Sequence, residues 1–236
     1  MSLFSLGPEA WSALALSAKV ATWCVLIGLP PGVMLAWLLA RCDFPGKSLL
    51  DALVHLPMVL PPVVPGYLLL LAFGRQGWAG QTLHELFGIS IAFQWTGAVV
   101  ASLVMSLPLM VQPIRLSFQL VDTRLEAAAR TLGASPWRTF LTITLPLALP
   151  GILVGALLAF SRSLGEFGAT ITFVGNIEDE TRTLPLAIYT LMNQPDGEAS
   201  ALSLVWLSLA LALAALLASQ FVTRSLQRQL GYRDHA

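Results

Sequence analysis

The feature that most constrains this chain is a series of long apolar segments, each near the length needed to cross a bilayer. A transmembrane helix needs about 20 consecutive apolar residues. Charged residues make up only 11% of the chain, whereas a soluble domain carries about 25%. We therefore predict an all-α integral membrane protein, a single domain of five spans. The predicted spans cover residues 11–39, 49–73, 93–118, 145–174 and 202–222.

Prolines interrupt most of these segments. The second segment holds four within nine residues, namely Pro57, Pro61, Pro62 and Pro65. Proline inside a membrane helix frees a carbonyl group and bends the helix. We therefore predict a kinked helical bundle, of a kind that suits a pathway that changes shape. The apolar stretch 183–192 is too short to span, and we expect it to form a short interfacial or external helix.

The distribution of basic residues predicts the orientation in the membrane. Cytoplasmic loops carry an excess of Lys and Arg. Alternate loops of the five-span arrangement hold nine basic residues on one side, against Arg75 and Arg182 on the other. The basic side should be cytoplasmic, which places the N-terminus outside and the C-terminus inside. The nine are Arg41, Lys47, Arg115, Arg124, Arg130, Arg138, Arg224, Arg228 and Arg233.

Small residues recur every four positions in the fourth segment, at Gly151, Gly155, Ala159 and Ser163. Such a stripe lets two helix backbones approach closely in lipid. Packing within one chain is the interpretation we favour, and contact with a second copy is the alternative.

The stretch 122–146, on the predicted cytoplasmic side, has the pattern of two short helices joined by a glycine turn. Residues 126–130 are strong helix formers, and Gly133 breaks the run. Ser135 suits the N-cap of a second helix, and Pro136 suits its first position. We predict a helix, a turn and a helix lying along the membrane surface.

Within that stretch, nine residues separate Gly133 from Ile143, which is followed by Leu145 and Pro146. This spacing resembles the signature loop of importer-type ABC transporter permeases. In the family pattern, E-A-A is followed by three residues and then Gly. Counted back from Gly133, the E-A-A positions are Ala127, Ala128 and Ala129. Glu126 therefore stands one position before the place of the family glutamate. One position rotates a helical side chain by about 100°. The family's ionic contact to an ATPase therefore does not transfer directly to Glu126, whereas the apolar docking surface does.

Four further stretches are similar to the molybdate/sulfate branch of this family, and most of all to its molybdate permeases. The resemblance implies molybdate import driven by ATP hydrolysis on partner subunits, with sulfate, thiosulfate or tungstate as alternative cargo. It implies a prokaryotic cytoplasmic (inner) membrane, a second copy of the chain, two cytoplasmic ATP-binding subunits and a periplasmic or extracellular oxyanion-binding protein. The stretches are residues 41–48, 55–74, 161–176 and 180–192.

Two charged residues inside the fourth segment, Arg162 and Glu166, are four positions apart and so share a helix face. Arg162 could line a translocation pathway and attract a tetrahedral dianion, with Glu166 tempering that attraction. Hydroxyls of Ser161, Ser163 and Thr170 could assist by binding the oxyanion, or they could equally cap backbone carbonyls. The alternative is a local ion pair that locks the helix.

Several function classes lack support in the sequence. We find no GxxxxGK[ST] phosphate loop and no nucleophile motif, so we do not expect an enzyme. Zero net charge argues against a nucleic-acid partner. We expect membrane lipid to surround the apolar spans. We expect no cofactor and no metal site, because the three histidines are scattered. A proton-coupled secondary transporter using Asp51–His55 and Arg162–Glu166 is an alternative of another class, although five spans without an inverted repeat count against it.

Overall fold

Helices make up all the regular structure in the described part of the chain. The structure is a computed structural model that describes residues 8–195 and 197–229; Arg233, counted in the charge argument, lies outside them. The helices are α1 (Pro8–Arg41), α2 (Lys47–Val59), α3 (Val63–Phe73), α4 (Trp78–Phe87), α5 (Trp95–Leu120), α6 (Thr123–Thr131), α7 (Pro136–Thr139), a π-helical segment (Phe140–Thr144), α8 (Leu145–Leu164), α9 (Gly168–Val174), α10 (Leu184–Met192) and α11 (Glu198–Gln229).

Four helical stretches among the described residues are long and apolar enough to cross a membrane. They are Pro8–Arg41, Trp95–Leu120, Pro136–Leu164 and Glu198–Leu217. The pair α2 and α3 passes the same test together, with a bend of 113° between its helices. Counting that pair as one span gives five, which agrees with the predicted all-α, kinked membrane bundle.

Two of the apolar segments are broken more sharply than a proline kink requires. The second segment leaves the helix at Leu60, whose backbone is extended because it precedes Pro61. The fourth divides after Leu164 and resumes as a separate helix at Gly168. Its first part also starts earlier than the apolar run, since helical structure begins at Pro136 and continues through the π-helical segment. Helix α4 was not predicted.

Helix α5 is the centre of the bundle, and α8 packs along it through the stripe of small residues. A Cβ at Gly151 would collide with the Ser117 hydroxyl, and one at Gly155 would lie 2.5 Å from the Met110 carbonyl oxygen. Ala159 and Ser163 are buried on the same side. The stripe therefore packs within one chain, as we predicted.

The stretch after α9 forms the short helix α10, as the sequence predicted. It packs against α1 and α11. The backbone N–H of Leu184 at its start donates to the Ser17 hydroxyl of α1, at 2.7 Å. This bond anchors α10 to the N-terminal part of α1.

Candidate functional site

The two helix breaks lie against each other. A Cβ at Gly66 of α3 would lie 2.7 Å from the carbonyl oxygen of Ala169 in α9. A Cβ at Gly168 would lie 2.7 Å from the Cβ of Pro62, in the α2–α3 bend. Only glycine allows backbones to approach this closely. Local sequence patterns do not predict that these two breaks meet, because the residues concerned are about 100 positions apart.

Glu166 stabilises the break between α8 and α9. Its side chain is 2% exposed, and Oε2 lies 2.7 Å from Nη1 of Arg162. The other oxygen, Oε1, accepts a hydrogen bond of 2.9 Å from the backbone N–H of Ala169. The carboxylate thus joins the last turn of α8 to the first turn of α9, where negative charge is favoured at a helix N-terminus. The predicted local ion pair exists, and it also caps a helix.

Arg162 keeps 30% of its side-chain surface exposed. A guanidinium has five N–H donors in a planar fork, and the contact with Glu166 is made through Nη1. Donors on the rest of the fork are suited to oxygen atoms of an anion such as a tetrahedral oxyanion. The geometry therefore gives the two charged residues different surroundings, with Glu166 buried and Arg162 partly accessible.

The three hydroxyl residues predicted to assist Arg162 do not share its surroundings. Ser163 lies on the buried stripe of α8, and Thr170 is 1% exposed within α9. Ser161 is half-buried. Since two of the three are enclosed by the bundle, the structure does not gather them into one accessible site.

The loop after α9 and helix α10 close around the same break. The ring of Phe167, just before α9, lies 5.2 Å from the ring of Tyr189 in α10. The Asn176 side chain donates to the Thr190 hydroxyl at 2.7 Å and accepts from Nε of Arg182 at 3.1 Å. Two separate stretches, 161–176 and 180–192, thus form one structural unit.

The segment 122–146 has the predicted first helix and glycine turn. The second helix was expected to lie along the membrane surface, but α7 continues through the π-helical segment into α8 and so forms the start of a membrane span. Asp122 caps α6 by accepting from the Arg124 N–H at 2.9 Å. Gly133 has φ +86°, the left-handed conformation that favours glycine. The Ser135 hydroxyl caps α7 by accepting from the Arg138 N–H at 3.3 Å, with Pro136 in the first turn. The π-helical segment was not predicted.

Much of this segment is exposed apolar surface. Leu132 is 89% exposed and Trp137 is 69% exposed, and Leu125 is exposed as well. Of the predicted coupling residues, Ala127, Ala128, Gly133 and Pro146 are exposed, whereas Glu126, Ala129, Ile143 and Leu145 are half-buried. Bulky apolar side chains left uncovered at a turn are typical of a surface that binds a protein or a membrane.

Glu126 points away from this exposed surface. Its Oε1 atom accepts a hydrogen bond of 2.8 Å from the Thr144 hydroxyl and lies 3.3 Å from Nη2 of Arg41. The same nitrogen of Arg41 donates to the Val121 carbonyl at 2.9 Å. Sequence reasoning missed both partners; the one available signal was a basic residue at the end of the first apolar segment.

Asp51 belongs to a structural contact between α2 and α5. Its Oδ1 atom lies 2.9 Å from Nη1 of Arg115 and 3.3 Å from Nδ1 of His55. The His55 ring also contacts the Asp51 carbonyl oxygen at 2.8 Å. The Asp51 carboxylate therefore joins α2 to α5 through Arg115.

Comparison with known proteins gives one family. The family model described as "Binding-protein-dependent transport system inner membrane component" matches residues 29–231. The molybdenum transport system permease protein ModB of Escherichia coli K12 is 59% identical over 224 residues, 95% of this chain and 97% of that protein. ModB of Haemophilus influenzae is 53% identical over 220 residues, 93% and 96% of the two chains.

Among solved structures, a bacterial alginate ABC transporter in complex with an alginate pentasaccharide-bound periplasmic protein matches 95% of this chain and 81% of its own. The TM-score is 0.75 at 17% identity, which shows a shared fold. With a family model that covers most of its length and relatives above half identity, the chain is a member of the family of binding-protein-dependent transport system inner membrane components.

Proposed function

We propose that this chain is the permease subunit of an ABC importer that moves molybdate into the cytoplasm, driven by ATP hydrolysis on partner subunits. Full-length identity of 59% to a molybdenum transport permease supports the cargo. The observation that carries the ATP-coupled mechanism is the exposed apolar surface of α6–α7, with Leu132 and Trp137 at its turn. In the proposed assembly, the ATP-binding subunits cover these side chains.

The proposed assembly has two copies of the chain, two cytoplasmic ATP-binding subunits and a periplasmic or extracellular oxyanion-binding protein. ATP chemistry then belongs to the ATP-binding subunits, and this chain is not itself an enzyme. The N-terminus lies outside and the C-terminus lies in the cytoplasm. The contact between Arg41 and Glu126 supports placing their two loops on one side of the membrane, and the charge distribution assigns that side to the cytoplasm.

In the proposed mechanism, docked ATP-binding subunits move α6–α7, and the bundle opens alternately to the two sides of the membrane. The paired breaks at Pro62 and Gly168 supply the points at which the spans bend. Arg162 is the proposed contact for the tetrahedral dianion because its fork is partly accessible. Glu166 holds that fork in place and reduces its net charge, so that the anion is released as well as bound.

The substrate is tested by measuring molybdenum accumulation in cells that lack this chain, at limiting molybdate, with and without excess sulfate. We expect accumulation to fall on deletion and to return when the chain is restored, with excess sulfate having little effect. Unchanged molybdenum with impaired sulfur assimilation would move the cargo to sulfate. Adding tungstate to the restored strain tests whether tungstate competes with molybdate for import.

The docking surface is tested with Leu132→Glu. Because Leu132 is 89% exposed, a charge there should leave folding intact while it prevents association with the ATP-binding subunits. Leu86→Glu is the matched control, since Leu86 of α4 is 68% exposed and lies outside α6–α7. We expect the ATP-binding subunits to co-purify with the control and not with Leu132→Glu. Equal co-purification would contradict the proposed docking surface.

A further inference from the structure

The side chain of Glu126 joins three separate parts of the chain. Its Oε1 atom contacts the Thr144 hydroxyl, in the π-helical segment before α8, and Nη2 of Arg41, at the end of α1. That nitrogen also holds the carbonyl of Val121 at the end of α5. The Glu126 and Arg41 side chains are 18% and 16% exposed, and Thr144 is 2% exposed. We call the three residues Arg41, Glu126 and Thr144 the Glu126 joint.

Apolar packing does little to hold α6 in place. None of its nine residues is buried. The α7 end of the segment is different, because the ring of Phe140 lies within about 6 Å of three other rings: those of Trp37 in α1 at 6.0 Å, Phe118 in α5 at 6.2 Å and Trp137 in α7 at 5.8 Å. The aromatic cluster anchors α7, and the Glu126 joint supplies polar contacts between α6 and the bundle.

We infer that Glu126 acts inside the chain, passing movement of α6 to α1 and to the start of α8, and does not serve as a contact to the ATP-binding subunit. The inference rests on the proposed function, in which α6–α7 is the docking surface. The Thr144 hydroxyl donates to the carboxylate at 2.8 Å, and the charged Arg41 lies 3.3 Å from the same oxygen. A displacement of α6 must therefore carry Arg41 and Thr144 with it or break the joint. Glu126 is thus a positioning residue that never touches the transported anion.

The test is a double-mutant cycle in the assembled transporter, reconstituted in vesicles, with molybdate uptake per ATP hydrolysed as the readout. Arg41→Gln and Glu126→Gln should each lower that ratio about tenfold, within the range of coupling free energies between sites. The double variant should be no worse than either single variant, because each already removes the ion pair between the two residues. Thr144→Val should lower the ratio in the same direction and by less. A merely structural role would change the amount of transporter recovered and leave the ratio intact.

Lys47→Gln is the matched control. Lys47 forms an ion pair of 2.9 Å with Asp43, close in sequence to Arg41 at the end of α1. Unlike the pair of Arg41 and Glu126, this pair joins residues only four positions apart, and Asp43 is 98% exposed. Exposed pairs of this kind contribute little, so the ratio should stay at the wild-type value.

Two results would overturn the inference. Losses that multiply in the double variant would mean that Arg41 and Glu126 act independently. Loss of co-purifying ATP-binding subunits with Glu126→Gln, but not with Arg41→Gln, would place Glu126 at the intermolecular contact. The first result can be seen only if the wild-type transporter imports molybdate, whereas co-purification is measured without transport. A wild type that imports no oxyanion overturns the proposed function instead, so the two failures are distinguishable.

Discussion

Pro62 and Gly168 meet where the second and fourth spans break, so closely that a methyl group on Gly168 would lie 2.7 Å from the Cβ of Pro62. Glycine at 168 is therefore required for contact between the breaks. Gly165, three positions earlier, has open space around its missing Cβ, since no described atom beyond its immediate chain neighbours lies within 4 Å. The two glycines offer a matched pair of sites for adding one methyl group.

We predict that Gly168→Ala destabilises the protein by about 1–3 kcal/mol, the usual cost of forcing an extra methyl group into a packed contact. Molybdate uptake should fall with it, because the breaks can no longer lie together. Gly165→Ala should leave both quantities near the wild-type values. Thermal unfolding of the purified protein in detergent measures the first effect, and equal midpoints for the two variants would contradict the packed contact.

Arg162 and Glu166 allow the pathway role to be separated from the structural role. Arg162→Ala leaves the Glu166 carboxylate buried without its partner, which should cost about 3 kcal/mol, the low end for a buried pair because Arg162 is partly exposed. Replacing both residues with glutamine removes the two charges together and keeps an acceptor for the Ala169 N–H. Most of the stability should return in that double variant.

Import is the measurement that decides between the two roles. If Arg162 contacts the anion, the stable double-glutamine variant should import molybdate at least about tenfold more slowly, since a charge-assisted hydrogen bond has been lost. ATP-binding subunits should still co-purify with it. Wild-type import by this variant would show that the pair is only a structural lock.

The sequence predicted the helical membrane bundle and the α6–α7 turn well because their signals are local. Apolar length, Gly133 and the caps at Ser135 and Pro136 each act within a few residues. The meeting of Pro62 with Gly168 could not be predicted in the same way. It depends on how two separate spans pack, and short-range patterns carry no information on that.

Glu126 shows the same limit for side-chain roles. Its distance from Gly133 indicated that it departs from the family pattern, and the structure shows it paired with Arg41 and Thr144. Nothing local to residue 126 specifies partners that are 85 and 18 positions away. Closeness in sequence to Arg162 likewise does not determine exposure, since Ser163 and Thr170 are buried.

The turn at Gly133 yields a prediction about coupling. Its φ of +86° is strained for a β-branched residue, and no atom lies within 4 Å of the site of its missing Cβ. Gly133→Val should therefore distort α6–α7 through the backbone alone, at a cost of about 1–2 kcal/mol. Membrane insertion should be normal, while ATP hydrolysis becomes uncoupled from uptake.

Gly133→Asn is the control for that experiment, because asparagine tolerates the left-handed conformation better than other residues with a side chain. It should keep most of the coupled uptake despite its larger side chain. If Gly133→Asn and Gly133→Val fail to the same degree, side-chain bulk at the docking surface matters, and backbone strain does not.

Gly151 tests the packing of α8 against α5. An added methyl group would collide with the Ser117 hydroxyl and would lie 2.5 Å from the carbonyl oxygen of Pro113. We predict that Gly151→Ala lowers the free energy of unfolding by about 1–3 kcal/mol, measured from the thermal midpoint in detergent. Adding Ser117→Ala should recover only part of the loss, because the Pro113 carbonyl belongs to the backbone and cannot move aside. Ser117→Ala alone should change the stability little. Full recovery in the double variant would mean that the serine hydroxyl is the whole obstacle. The two backbones would then be less closely packed than the structure shows.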